Sequence, residues 1–390
     1  MSREIKKIFE LLVMQIKVCG VERMDKLIDI SDIQYGYAFD SGNFTEDSSY
    51  PQIARIRDVK RGYSETFYSG EYPDEYVLHK GDLLVGMDGE FNIARWKIEN
   101  ALLNQRVCRI KARKGTNEEY LRFALSKALK VIEDRTSCVT VKHLSAKELN
   151  KLELEMPEEN KQNIIAETLG KLESIISTRK NEIDKLECLV KARFVELFGA
   201  IDKHVSMHEI CSIITDGTHQ PPKFVNEGIP FIFVSNIVTD RITYDADKFI
   251  DQKTYDELIK RTPIEIGDVL LSTVGSYGHP AVVKTDKKFL FQRHIAYLKP
   301  NHDFIDSDYL HGALLSPEAQ RQIENGVKGV AQKTLNLSEI KKMRIPLPDL
   351  VKQRQFSDFK KQVDKSKVVV QKALDQTQLL FDKLMQDYFG

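Results

Sequence analysis

A chain of 390 residues, 42% of them hydrophobic, suits two ordinary domains better than one and is too mixed in composition for a fibrous or disordered protein. Lys plus Arg and Asp plus Glu number 58 each, so no net charge draws the whole molecule to a polyanion, although a free-standing DNA binder is usually basic. The five cysteines (Cys19, Cys108, Cys138, Cys188 and Cys211) show no Cys-x-x-Cys spacing, which argues against a zinc site or a disulfide framework and fits a reducing compartment.

In chain order, residues 1–22 read as an N-terminal helical segment. Its apolar stretch Ile8–Val18 is broken by Glu10, Gln15 and Lys17, so it predicts a short amphipathic helix, neither a signal peptide nor a membrane span. The expectation is a cytoplasmic protein with no membrane contact. Residues 23–157 form a first mixed domain, with short β-branched and aromatic runs and helical stretches such as Glu118–Val131. Residues 158–199 predict a first long helix, and residues 200–348 a second mixed domain with strands over Pro230–Ile237 and Asp268–Val274. A second long helix follows over 349–390.

The two halves are copies. Val139–Gly199 lies on Val330–Gly390 without a gap, with identities including Leu144/Leu335, Glu148/Glu339, Pro157/Pro348, Gln162/Gln353 and Phe198/Phe389. Upstream, Gly81-Asp82-Leu83-Leu84 matches Gly267-Asp268-Val269-Leu270, Gly89 matches Gly275, and Gln105-Arg106 matches Gln292-Arg293. Ile56-Arg57-Asp58-Val59 takes the place of Val234-Ser235-Asn236-Ile237.

After each proline the pattern turns to heptads. Ile165, Leu169, Leu172, Ile176, Ile183, Leu186, Val190 and Leu197 alternate by four and three, with Arg179 and Arg193 as exceptions. Phe356, Val363, Val370, Leu374, Phe381, Leu384 and Tyr388 occupy the equivalent places, interrupted by Lys360, Lys367 and Thr377. A seam repeating every 3.5 residues requires a partner helix, and about forty residues make a rod of roughly 60 Å. The fold class expected is α+β: two similar mixed α/β domains joined by two long helices that form an antiparallel coiled coil, related by a pseudo-twofold axis.

Charge is uneven along the chain. Glu90–Lys151 carries fourteen Lys/Arg against seven Asp/Glu, and Lys284–Arg344 eleven against seven. These basic stretches fall at matching places in the two halves. Chemistry is not legible. There is no G-x-x-x-x-G-K-[ST] loop, no G-x-G-x-x-G opening a helix and no Asn/Asp-Pro-Pro-aromatic motif. The expectation is a non-catalytic binding protein without cofactor or metal. Two alternatives stay open: a coiled-coil scaffold joining two protein-binding domains, and a divergent nuclease or methyltransferase.

The ordered, duplicated blocks resemble the specificity subunit of type I restriction–modification systems. The carrying residues are the Gly-Asp-Leu-Leu and Gly-Asp-Val-Leu blocks, the Gln-Arg pairs, and the runs Leu144–Pro157 and Leu335–Pro348, each followed by Lys-Gln at Lys161-Gln162 and Lys352-Gln353. The first domain departs from the pattern, because Tyr35–Phe39 lacks the opening seen as Asp216-Gly217-Thr218. The resemblance implies two target recognition domains, each reading one half of a split double-stranded DNA target, with the helices as a ruler for the spacer. It also implies two methyltransferase subunits as partners, which use S-adenosylmethionine, and an ATP-driven translocase–nuclease that can join them.

If the halves read different sequences, shared residues are framework and base readers are polar residues that differ at matched loops. By that rule Gly81, Asp82, Gly89, Gly267, Asp268 and Gly275 are turn chemistry. Candidate DNA contacts in the first domain are Tyr35, Tyr37, Arg57, Asp58, Asp88, Asn92 and Arg95. In the second they are Thr218, His219, Lys223, Ser235, Asn236, Ser276, Tyr277 and His279, since Arg and Asn can bond base edges in pairs and Tyr and His can stack or donate. Arg106 and Arg293, in pairs shared by both halves, are expected in the strand framework or at phosphates, and Lys142 and Lys333 at phosphates.

Overall fold

The structure, a computed structural model, describes residues 23–135, 143–329 and 333–390. The expected segment 1–22 lies outside the described residues. The chain divides into two compact units, the first ending at Arg179 and taking in Ala373–Gly390, the second spanning Lys180–Lys372. These divisions fall inside the long helices instead of at their ends, because each helix packs part of its seam in each unit.

The first unit is built on a four-stranded antiparallel sheet in the order Ser31–Tyr35, Val107–Ala112, Leu83–Gly86, Ile93–Arg95. Alternation puts Leu83, Val85, Cys108 and Ile110 on one face, against Tyr120 and Leu121 of the helix Glu118–Arg135. Leu84 and Val107 face the other way, toward Trp96 and Leu103. A smaller sheet pairs Ala101–Leu103 in parallel with Ile53–Ala54 and antiparallel with Val77–Leu78. The second unit repeats this plan, with the order Cys211–Asp216, Ile295–Pro300, Val269–Ser272, Pro280–Val282. Its Ile229–Ile232 again runs parallel to Leu290–Phe291. The strand expected over Pro230–Ile237 stops at Ile232. Val234–Asn236 forms a single 3-10 turn instead, because the Asn236 side chain folds back to accept the Phe233 N–H at 2.9 Å.

Both long helices form, over Glu159–Phe198 and Leu350–Phe389. In the first unit Leu169 and Leu172 share a core with Leu380, Phe381, Leu384 and Tyr388, and the Arg179 guanidinium donates to the Ala373 carbonyl and the Thr377 hydroxyl. In the second, Lys367 Nζ pairs with Glu187 at 2.6 Å, and Phe194 and Phe198 meet Phe356 edge-on. Rising numbers on one helix meet falling numbers on the other, so the pairing inside each unit is antiparallel. The polar interruptions of the heptads are seam residues with partners: Arg179 meets Thr377, and Lys360 is buried between Asp308 and Asp364. The expected seam residue Leu197 is 38% exposed, and Phe194 and Phe198 are buried in its place. There the helix turns its apolar face to the core of its own unit, where Tyr309 and Phe356 wait.

One residue fixes where each long helix begins. Gln162 is buried; its carbonyl accepts the Asn117 N–H at 2.8 Å, and its amide donates to Pro157 O at 2.8 Å and Gly115 O at 3.3 Å. Gln353 repeats every bond, accepting from Asp306 N at 2.9 Å and donating to Pro348 O and Phe304 O at 2.9 and 3.0 Å. Asn117 and Asp306 are themselves caps of the helices that start at Glu118 and Ser307. Above them, Tyr120 and Tyr309 donate to the strand carbonyls of Glu155 and Pro346.

Replacing Gln353 by Leu strands one buried N–H and two carbonyls, at about 1–3 kcal/mol for a group so abandoned. Chemical denaturation should show the second unit's transition moving to lower denaturant. An unmoved transition would contradict the clamp.

Candidate nucleic-acid interface

Each four-stranded sheet ends in a cluster of turns held by the same bonds. Gly36 N–H donates to Val107 O at 2.9 Å, and Tyr37 bridges Leu103 O and Gln105 N. In the second half Gly217 N–H donates to Ile295 O, and Thr218 bridges Phe291 O and Arg293 N. A side chain at either glycine is impossible: a Cβ would lie 2.0 Å from Asn104 O or 2.3 Å from Phe291 O. Gly36 therefore takes the place of Gly217, so the opening thought missing from the first domain is present as Tyr35-Gly36-Tyr37. The same bonds correct the register of the Gln-Arg pairs. Met87 N–H bonds Arg106 O as Thr273 N–H bonds His294 O, which sets Gln105 opposite Arg293 and Arg106 opposite His294.

Beside these turns, Asp88 pairs across a bridge with His143, and Val274 with Thr334. Gly89 and Gly275 follow, both at φ 71°, a left-handed turn that favours glycine. Identical backbone thus presents different side chains. The first half shows Asp88 held by His143 at 2.5 Å and by Arg106 at 3.6 Å. The second shows an exposed Arg293 beside His294, whose imidazole is held below its ordinary range by burial and by the Arg293 charge. Asp216, Thr273, Arg293, His294 and Thr334 line a shallow cleft there.

The other candidates of the first half separate into surface and frame. Tyr37 is 42% exposed and its ring lies 5.1 Å from those of Tyr76 and Phe39. Arg57 is exposed and makes no ion pair with a described residue; it shares a cleft with Asp88, Asn92 and Lys60. Tyr35 and Arg95 are frame. The Tyr35 hydroxyl donates to Asn150 Oδ1 at 2.8 Å, and burial pushes its pKa up to about 12. Arg95 is bound by Glu118 and Glu119 and donates to Gly81 O. Lys142 lies outside the described residues.

In the second half Lys223, Ser235, Ser276, Arg293 and Lys333 are exposed, and His219 is held by Asp216 at 3.0 Å and by Arg261. Thr218 is half-buried by its backbone bridge. Tyr277 packs on the core, and His279 Nδ1 sits 3.0 Å from Asp240.

Asp58 and Asn236 are corrections. Both are buried at the same turn, capping the N–H of Arg55 and Phe233. Asp58 further binds Arg55, Arg61 and Ser64, and Asn236 donates to Asp245 O, so neither side chain is available to a base. The exposed differing pair of this turn is the preceding one, Arg57 and Ser235. Asp82 and Asp268 are turn chemistry as expected, capping His79 and Glu265.

Residues not anticipated at these surfaces are Lys60, His143, Asp216, Arg261, His294 and Thr334. His143 and Thr334 were within reach of the sequence, since they follow Lys142 and Lys333 in the gapless repeat and differ. Among the described residues no cluster of three His, Cys, Asp or Glu could hold a metal. The one His-x-x-x-His spacing, His204–His208, starts in the strand His204–Ser206 and gathers no third ligand. No described helix is long and apolar enough to cross a membrane.

A mixed α+β frame duplicated within one chain, with matching turns and dissimilar polar tips, defines a two-part recognition protein. Residues 22–187 and 203–377 each match the Type I restriction modification DNA specificity domain, and the chain belongs to that family. It is 31% identical over 360 residues to the EcoBI specificity subunit of Escherichia coli, covering 84% of this chain and 76% of that one. The MjaVIII specificity subunit of Methanocaldococcus jannaschii is 18% identical over 80% of this chain and 79% of that one. Among solved structures, the type I restriction–modification S subunit from M. genitalium aligns with 95% of this chain and 96% of its own at TM-score 0.58 and 15% identity, a likeness of fold.

The capping turn carries its own test. Burial alone would raise the Asp58 carboxyl, but the Arg55 and Arg61 guanidiniums outweigh it and hold the pKa below the ordinary carboxylate range. A depressed carboxyl stabilises above its unfolded-state pKa and loses that contribution as pH falls through the folded value. Asp58→Asn, which keeps the cap in the form used by Asn236, should leave the first unit folded but less dependent on pH in mild acid. An unchanged pH profile of unfolding would contradict the ion pairs.

Proposed function

We propose that this chain is the DNA-reading subunit of a type I restriction–modification complex and catalyses nothing itself. Each half reads one part of a split double-stranded target, and the paired helices keep those parts at a fixed spacing. The observation that carries the reading is the turn cluster at the sheet end, where superimposable hydrogen bonds present Tyr37, Arg57, Asp88, Gln105 and Arg106 in one half and Thr218, Ser235, Val274, Arg293 and His294 in the other. A protein reading one sequence twice would have no use for such divergence. Arg57, Arg106 and Arg293 can bond the O6 and N7 of guanine in pairs or meet phosphates, and Tyr37 offers a ring edge. The exposed Lys223 and Lys333 suit phosphate, and Lys142 is proposed there too.

Family membership supports partners that bring the chemistry: methyltransferase subunits, two of them in keeping with the duplicated frame, and a translocase–nuclease. Such partners would complete the phosphate clamp, which answers the chain's zero net charge. A cytoplasmic location follows from that role.

The test is the methylated sequence. In the assembled complex, Arg57→Ser should relax or change one position of one half-site, at about 1–3 kcal/mol if it bonds a base. Asp58→Asn should leave the target as it was. If methylome sequencing shows the same target and the same extent of modification for Arg57→Ser, the turn does not read DNA.

A further inference from the structure

Arg106 occupies a backbone position that its residue type resists. Its φ of 68° lies in the left-handed region, where a Cβ crowds the following carbonyl and glycine is the ordinary choice. The turn is closed by the Val107 N–H on Asn104 O at 3.2 Å, and the matching turn by the Ile295 N–H on Gln292 O at 3.1 Å. His294, which takes the place of Arg106 there, has no positive φ. A strained residue persists only where its surroundings hold it, and such residues gather at functional sites.

Two side chains from separate segments hold the Arg106 guanidinium. Its Nε lies 3.6 Å from Asp88 Oδ2, and its Nη1 lies 3.4 and 3.5 Å from the two ring nitrogens of His143. An atom that near to both nitrogens sits over the imidazole face, since in the ring plane it would collide with the carbon between them. His143 Nδ1 in turn donates to Asp88 Oδ1 at 2.5 Å, because a carboxylate can only accept, and this occupies the second carboxylate oxygen. Backbone bonds tie the three segments together: the Met87 N–H meets Arg106 O at 2.8 Å, the Leu144 N–H meets Met87 O at 2.7 Å, and Asp88 bridges His143. Nη2 has no partner among the described residues, and the Arg106 side chain is 53% exposed.

The second half does not repeat this unit. Val274, His294 and Thr334 stand at the three places, with neither a carboxylate nor a guanidinium among them. A phosphate contact would gain nothing from the arrangement. A carboxylate beside the guanidinium cancels part of the charge that attracts a phosphate, and a phosphate accepts a cation from many directions. A base edge asks for the opposite: parallel N–H bonds from a planar fork whose direction is fixed. Given the DNA-reading role of these turns, on which the assignment rests, we propose that Arg106 reads one guanine of the first half-site through its O6 and N7. Asp88 and His143 are positioning residues that hold the fork in line. With both oxygens engaged, Asp88 contacts no base itself.

The experiment maps the methylated sites of the assembled complex for variants of the three residues, with Arg57→Ser alongside. Arg106→Lys keeps the charge and removes the fork. One G:C pair of one half-site should then lose discrimination by about 5- to 150-fold, the value of a paired base contact, while the other half-site stays the same. Asp88→Asn and His143→Ala should each relax that same pair by a smaller factor. Neither should add to the loss in an Arg106→Ala background, because both act through the arginine. Relaxation at an A:T pair, an unchanged target for Arg106→Lys, or a further loss from Asp88→Asn on top of Arg106→Ala would each overturn the proposal. If Arg57→Ser alters the target and the Arg106 variants do not, this assignment alone falls; if none of them alters it, the reading of DNA by these turns falls as well.

Discussion

Everything in each half is hung from a buried glutamine amide. Gln162 and Gln353 each bind the N–H that opens the domain helix and the carbonyls of the loops leading into both helices. An amide with its donors and acceptor all engaged inside a protein tolerates little displacement, since any shift leaves buried polar groups unpaired. The long helix is thereby fixed in starting point and direction relative to the sheet of its own unit, while the turns at the sheet's other end are held by their own backbone bonds. A reading surface needs that rigidity: hydrogen bonds to base edges discriminate only if the side chains arrive in register.

The long helices show how a duplicated seam accommodates polar residues. Arg179 and Thr377 are both breaks in the heptad pattern and they meet each other; Lys360 and Lys367 each find carboxylates. A charged residue on a buried seam is costly unless paired, and a single pairing scheme satisfies these, so they favour one register over its alternatives.

Much of this was legible from sequence, because gapless repetition reports equivalence without reference to any fold. Pro157 and Pro348, the Lys-Gln pairs and the Phe-Gly ends all delimit elements that form. The last turn of the first helix was misjudged because Leu197 keeps the heptad spacing, whereas the core that receives Phe194 and Phe198 comes from residues over a hundred positions away. Asp58 and Asn236 were misassigned because a buried side-chain cap and an exposed reader have the same composition; only hydrogen bonding distinguishes them. The Gln-Arg pairs misled by one position, since loops of unequal length had shifted the true match while leaving an accidental identity beside it.

The separation of constant frame from variable tip is tested most directly by transplanting tips alone. The first half would receive the second half's residues at five matched positions, Tyr37→Thr, Arg57→Ser, Asp88→Val, Gln105→Arg and Arg106→His, and the modified sites of the assembled complex would be mapped genome-wide. If these turns read the bases, the first half-site should shift toward the sequence read by the second while the other half-site stays the same. A folded, assembled complex that still modifies the original target would contradict it.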